Sequence, residues 1–127
     1  MLVYIIMPVG ADKKFNEKRF IIESISQQKG IITHFPFDKN KGTYIDINAT
    51  LTILSSADFV LADLSLERPS CYFELGLAQA IGKTTFIIAE QDTDIHQAND
   101  RNLTRFYTDL EDYKIVISKV LAKAKKL

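Results

Sequence analysis

The feature that most constrains this chain is a set of short, unbroken apolar runs separated by helix-length amphipathic stretches. Leu2 to Met7 is such a run, rich in β-branched residues and ended by Pro8 and Gly10. Phe59 to Ala62 and Thr84 to Ala89 are two more. Runs of this length without polar alternation read as strands buried on both faces, the mark of a parallel sheet covered by helices. Ile31 to Phe35, stopped by Pro36, and Leu103 to Tyr107 read as two weaker strands. About Lys13 to Lys29 carries a helical stripe through Phe15, Arg19, Phe20, Ile22, Ile25 and Ser26, closed by Gly30. The segment from Ile45 to about Ser56 reads as a second helix, Ser70 to Ile81 as a third, and Asp109 to Lys126 as a fourth. The fourth has acidic residues in its first turn and lysines in its last, which suits the helix dipole. Asp38 to Thr43 reads as a polar loop, and residues 90–103 as loop or frayed helix.

This alternation predicts an α/β fold, a flavodoxin-like three-layer sandwich with a five-stranded parallel sheet in the order 2-1-3-4-5. A length of 127 residues fits a single domain over 1–127. In such sheets ligands bind beyond the carboxyl ends of the strands, where the strand order reverses. That rule selects two loops before any chemistry is considered: Met7 to Asp12, and Asp63 to Ser70.

Composition narrows the function classes. Lys plus Arg number 16 and Asp plus Glu number 16, so the chain lacks the basic excess of a general nucleic-acid or membrane-surface binder. Its apolar runs fall well short of the roughly 20 residues of a membrane span. The start lacks the charged region and small-residue cleavage site of a signal peptide. Cys71 is the lone cysteine, so no internal disulfide forms and a reducing, cytoplasmic setting is expected. With His34 and His96 isolated and no HExxH or CxxC, neither a metal nor another cofactor is expected. Gly82-Lys83-Thr84 superficially matches the end of a phosphate-binding loop, but Gly76 stands one residue too far away. The order there is also helix to strand, the reverse of what a phosphate cradle needs.

At the predicted switch point Pro69 suits a first helical turn, and Glu74 falls about one turn in. Two readings fit Glu74. It is a solvated carboxylate supporting the helix dipole, or an oriented anion beside a ligand cleft, as attack on a sugar carbon requires.

Ala57-Asp58, Ala62-Asp63-Leu64-Ser65, Phe73-Glu74-Leu75-Gly76 and Gly82-Lys83 together resemble the nucleoside 2-deoxyribosyltransferase-like superfamily. That group includes deoxynucleoside monophosphate N-glycosidases and a bacterial TIR-like branch. The TIR-like branch reads MPFG, ADLT, NPN and YELG; here Met7-Pro8-Val9-Gly10 stands for the first of these. The stretch from Phe106 to Tyr113 is similar to the family's last strand and helix, so the likeness spans most of the chain. The resemblance implies cleavage or transfer of an N-glycosidic bond on a nucleoside or nucleotide. Glu74 would attack C1′, and Asp63 would orient a ribose hydroxyl or carry a proton to the base. Cys71 three residues before Glu74 matches the spacing of TIR NAD hydrolases, so NAD is the alternative substrate. The pattern also departs from the family. Arg68 stands where transferases carry Asp and the glycosidases Ser, and Ser70 stands where the TIR-like branch carries Asn. These departures keep open a non-catalytic nucleotide-binding module. A phosphoacceptor domain is a third possibility, weakened because Asp12 has no acidic neighbour.

The remaining candidates each carry two readings. Met7, Pro8 and Gly10 form a substrate loop or a plain turn. Asp46 supplies an acidic group from the second helix or none. Arg68 meets a phosphate or only solvent, with Ser70 beside it. Tyr72 and Phe73 stack on a base or pack, and with Phe106 offer apolar surface for a homo-oligomer. Tyr4 is expected to be core.

Overall fold

A computed structural model describes residues 1–36, 46–96 and 103–127. The strands are β1 (Leu2–Ile6), β2 (Ile32–His34), β3 (Phe59–Asp63), β4 (Thr85–Glu90) and β5 (Arg105–Tyr107). The helices are α1 (Phe15–Gln28), α2 (Ile47–Ser56), α3 (Pro69–Ala80) and α4 (Leu110–Lys125). The polar loop expected over 38–43, and residues 97–102 of the connection after β4, lie outside the described residues. All strand pairs are parallel and the order is β2-β1-β3-β4-β5, as the sequence pattern predicts. Among the described residues no helix is long and apolar enough to cross a membrane.

Strand alternation divides the interior into two cores. Val3, Ile5 and Met7 of the β1 region, with Phe59 and Leu61 of β3, pack with α1 and α4. Tyr4, Ile6, Val60 and Ala62 point the other way, against Leu54 of α2 and Cys71, Leu75 and Ala78 of α3. Both faces of the central strands are therefore covered, which is why they read as continuous apolar runs.

Helix α1 differs from its expected stripe. Its buried residues are Phe15, Lys18, Ile21, Ile22 and Ser26. Arg19 instead lies over the Phe35 ring at 4.7 Å, and Phe20 is 70% exposed. The row Phe15, Lys18, Ile22 runs at i, i+3 and i+7, so a lysine occupies a core position.

Helix ends follow local chemistry. Gly30 and Gly82 adopt φ of +69° and +78°, the left-handed conformation that costs glycine least. After them, Ile31 N–H donates to Ser26 O at 2.8 Å and Lys83 N–H to Ala78 O at 3.0 Å, closing α1 and α3 with the same six-to-one bond. Asp46 caps α2 by accepting from Ala49 N–H at 3.1 Å, and Asp109 caps α4 by accepting from Asp112 N–H at 2.8 Å. Asp46 is thus occupied as a helix cap.

The α2 carboxyl end has no basic residue of its own. Lys83, from the turn after α3, donates to Ser55 O at 2.9 Å and Ala57 O at 2.6 Å. Lys83→Met should destabilise the fold by about 1 kcal/mol. Urea denaturation should show a lower midpoint with an unchanged slope.

Candidate active site

Glu74 lies one residue before Leu75 on α3, at the flank of the buried row Cys71, Leu75, Ala78. That position half-buries its carboxylate against the sheet. Tyr4, on the same face of β1, donates its hydroxyl to Glu74 Oε2 at 2.6 Å. Among the described residues Oε1 has no hydrogen-bond partner. Burial pushes the Glu74 carboxyl above the ordinary range, and the Tyr4 bond pulls it partway back. Burial and the facing carboxylate drive the Tyr4 phenol far above its usual value, so it remains a donor. The His34 ring stacks on Tyr4 with centroids 5.0 Å apart, and burial lowers its pKa, favouring neutral imidazole.

These contacts correct two expectations. Tyr4 is core by burial, at 5% exposure, and it is also the partner of Glu74. His34 is not isolated. The two atoms of the Tyr4–Glu74 bond come from residues 70 positions apart, beyond any local motif. Cys71, which the spacing pairs with Glu74, packs in the core with its thiol pushed up to about 12 by burial and the nearby carboxylates. Burial thus favours the neutral thiol, the less nucleophilic form.

Asp63 does not meet Glu74 in the expected way. It continues the β3 alternation on the α1/α4 face and is 2% exposed. Its Oδ2 accepts the Tyr107 hydroxyl at 2.6 Å, and its Oδ1 accepts Ser65 N–H at 2.9 Å. Burial holds its carboxyl above the usual range, while Lys18, Tyr107 and Ser65 pull it down. Both oxygens are engaged within the protein. An acceptor this enclosed is unsuited to a phosphoacceptor domain.

Lys18 is the second half of this cluster. Its ammonium donates to Asp12 Oδ2 at 2.6 Å, Glu90 Oε1 at 2.9 Å and Tyr107 Oη at 2.8 Å. Sequence reasoning missed Lys18; its place at i+3 from Phe15 and i−4 from Ile22 was the available signal.

The other expected residues are dispersed. Met7 and Pro8 are buried, and Met7 belongs to the α1/α4 core. Gly10 is exposed, and a Cβ there would meet nothing within 4 Å, so the protein itself imposes no close approach. Arg68 and Ser70 are exposed at the start of α3. The Tyr72 hydroxyl donates to Glu67 Oε1 at 3.0 Å, and His96 Nδ1 bonds the same oxygen. His96 therefore also has a partner, and its bond holds the Glu67 carboxyl below the ordinary range.

Two cavities lie apart from Glu74. One of about 690 Å³ runs between α1 and α4, lined by Phe20, Ile21, Ile25 and Leu110. One of about 370 Å³ sits at the carboxyl end, lined by Glu67, Glu90, Asp92 and Asp94. Glu74 lines neither.

No protein-family model and no curated protein sequence matches the chain. Solved structures do. The Clostridium botulinum CMP N-glycosidase BcmB aligns with a TM-score of 0.66 at 13% identity, over 92% of this chain and 98% of its own. A 2-deoxyribosyltransferase from Bacillus psychrosaccharolyticus aligns with a TM-score of 0.64 at 14% identity, over 90% of each chain. The TIR domains of the Roq1 resistosome align with a TM-score of 0.54 at 13% identity, over 95% of this chain and 83% of theirs. The chain thus has the α/β fold shared by deoxyribosyltransferase-like and TIR-like proteins.

Tyr4→Phe removes the donor that steadies the Glu74 anion. Glu74 should then titrate about one pH unit higher than in the unaltered protein, as observed by carbon-13 NMR of the carboxyl group. An unchanged titration would show that the Tyr4 bond does not hold the carboxylate.

Proposed function

We propose that this chain cleaves or transfers an N-glycosidic bond of a nucleoside or nucleotide, with Glu74 as the nucleophile. The observation that carries this reading is the Tyr4–Glu74 bond of 2.6 Å. It fixes one carboxylate oxygen and leaves the other without a protein partner among the described residues. A half-buried carboxylate has lost part of its hydration and is a better nucleophile than a solvated one. Two proteins of this fold are named for acting on such bonds, which supports the choice of reaction.

In the proposed reaction Glu74 Oε1 attacks C1′ of the sugar. The C1′–oxygen bond forms as the C1′–nitrogen bond breaks, and the base leaves with the electron pair and gains a proton from water. A water or a second base then displaces the carboxylate from C1′. Tyr4 holds the carboxylate in one rotamer throughout and bonds the regenerated anion.

Arg68 supports a phosphate-bearing substrate. Its exposed guanidinium precedes α3 and has no hydrogen-bond or ion-pair partner among the described residues. A guanidinium fork suits a phosphate, and Ser70 follows within reach of the same helix start. The Cys71–Glu74 spacing, which resembles that of TIR NAD hydrolases, supports a second reading in which the same carboxylate attacks the nicotinamide ribose of NAD.

Chromatography of nucleosides, monophosphates and NAD after incubation with the protein tests these readings. Base should appear from at least one of them. Glu74→Gln, nearly isosteric, should slow release roughly a thousandfold or more while the fold persists. Equal release from both proteins overturns the nucleophile assignment. If nothing is released but a nucleotide raises the melting temperature, a binding module replaces the enzyme. Arg68→Ala should raise KM for a monophosphate by about tenfold and leave KM for the corresponding nucleoside unchanged.

Self-association belongs to the same proposal, because Phe73 is 44% and Phe106 37% exposed. Light scattering should give a dimer or larger; a monomer across the micromolar range would overturn it.

A further inference from the structure

We propose that the buried Tyr107 hydroxyl, with Lys18, Asp63 and Ser65, is a positioning device that sets α3 in the register where Glu74 meets Tyr4. This inference rests on the reading of Glu74 as the reacting carboxylate. None of the four residues bonds Glu74. They act through the short connection from β3 to α3, which leaves the sheet on one face and delivers Glu74 on the other.

Ser65, fully buried, is the anchor of that connection. Its N–H donates to Asp63 Oδ1 at 2.9 Å, and its Oγ accepts Glu90 N–H at 2.7 Å. The same Oγ lies 3.1 Å from the Tyr107 hydroxyl. The directions are mutually consistent: Lys18 and Ser65 donate to Tyr107, and Tyr107 donates to Asp63. The ends of β3, β4 and β5 therefore converge on Ser65, through its N–H and its Oγ. Two residues in the left-handed region follow, Leu66 at φ +64° and Glu67 at φ +46°. Neither is glycine, so this backbone persists only where its surroundings over-determine it. Ser65 pins it on one side, and Tyr72 on α3 bonds the Glu67 carboxylate on the other. Arg68 O then accepts Cys71 N–H at 3.0 Å and α3 begins.

Register is what this device decides. A slip of one residue along an α-helix moves a side chain by about 1.5 Å and turns it by about 100°. Either change breaks a bond of 2.6 Å to a phenol fixed in β1. Tyr107 is the natural point of attack, because its hydroxyl joins Lys18, Asp63 and Ser65.

The test is a double-mutant cycle read on the intact chain by carbon-13 titration of Glu74. Tyr107→Phe should raise the Glu74 pKa in the same direction as Tyr4→Phe, by up to about one unit. In a Tyr4→Phe background it should add nothing, because the contact it guards is gone. With an active substrate, Tyr107→Phe should lower kcat severalfold and leave KM nearly unchanged. Should Tyr107→Phe not fold, Ser65→Ala carries the same expectations, since it removes the Oγ that joins the turn both to β4 and to Tyr107. A folded variant with unshifted Glu74 titration overturns the proposal, as does an equal shift in the Tyr4→Phe background. The titration reads Glu74 whether or not any substrate turns over. A non-additive shift without base release sinks the nucleophile reading and keeps the coupling of α3 to the network. Base release with an unshifted titration sinks the positioning role alone.

Discussion

Burying the ammonium of Lys18 is the constraint on which the carboxyl end of this molecule depends. At 1% exposure it has lost its water, a penalty of several kcal/mol unless each proton finds an acceptor. Its three protons are met by Asp12, Glu90 and Tyr107, which lie 6, 72 and 89 positions away in the chain. The first βα turn, β4 and β5 must therefore close on one point. The Tyr113 ring, its centroid 5.8 Å from the ammonium, completes the shell. A hydrophobe would fill this space without setting directions; the ammonium's three bonds set them for Asp12, Glu90 and Tyr107.

The two faces of the sheet consequently carry different chemistry. On the α1/α4 face the carboxylates Asp12 and Asp63 are enclosed and bonded from several sides. On the α2/α3 face Glu74 has a single donor, Tyr4, and an unshared oxygen among the described residues. Of the three carboxylates, Glu74 alone combines partial burial with an oxygen left unbonded among the described residues, which is why the proposed function rests on it. The separation follows from the pleat: Asp63 and Ala62 are neighbours in sequence and face opposite layers.

The order of elements was legible because both faces of the central strands are covered, so burial alone wrote β1, β3 and β4 as apolar runs. Helix ends were legible where one residue type is demanded, as at Gly30 and Gly82. Glu74 was legible as a candidate from its place near the start of α3 and from the motif around it. The α1 stripe was misplaced because a hydrophobicity pattern ranks Phe20 above Lys18, while the fold exposes the phenylalanine and buries the lysine. The lysine's burial depends on acceptors that periodicity along one helix cannot reveal.

By itself the sequence determined the alternation of strands and helices, the parallel sheet that alternation requires, and the loops at its switch point. Tertiary structure alone decided that Asp63 and Glu74 lie on opposite faces, that Tyr4 holds Glu74, and that Tyr107, Ser65 and Lys18 together tie the ends of β3, β4 and β5. The physical reason is range. Backbone preference and burial act over a few neighbouring residues and leave a pattern in the chain, whereas a hydrogen bond such as Tyr4 to Glu74 depends on two groups that become neighbours only once the sheet and its helices have packed.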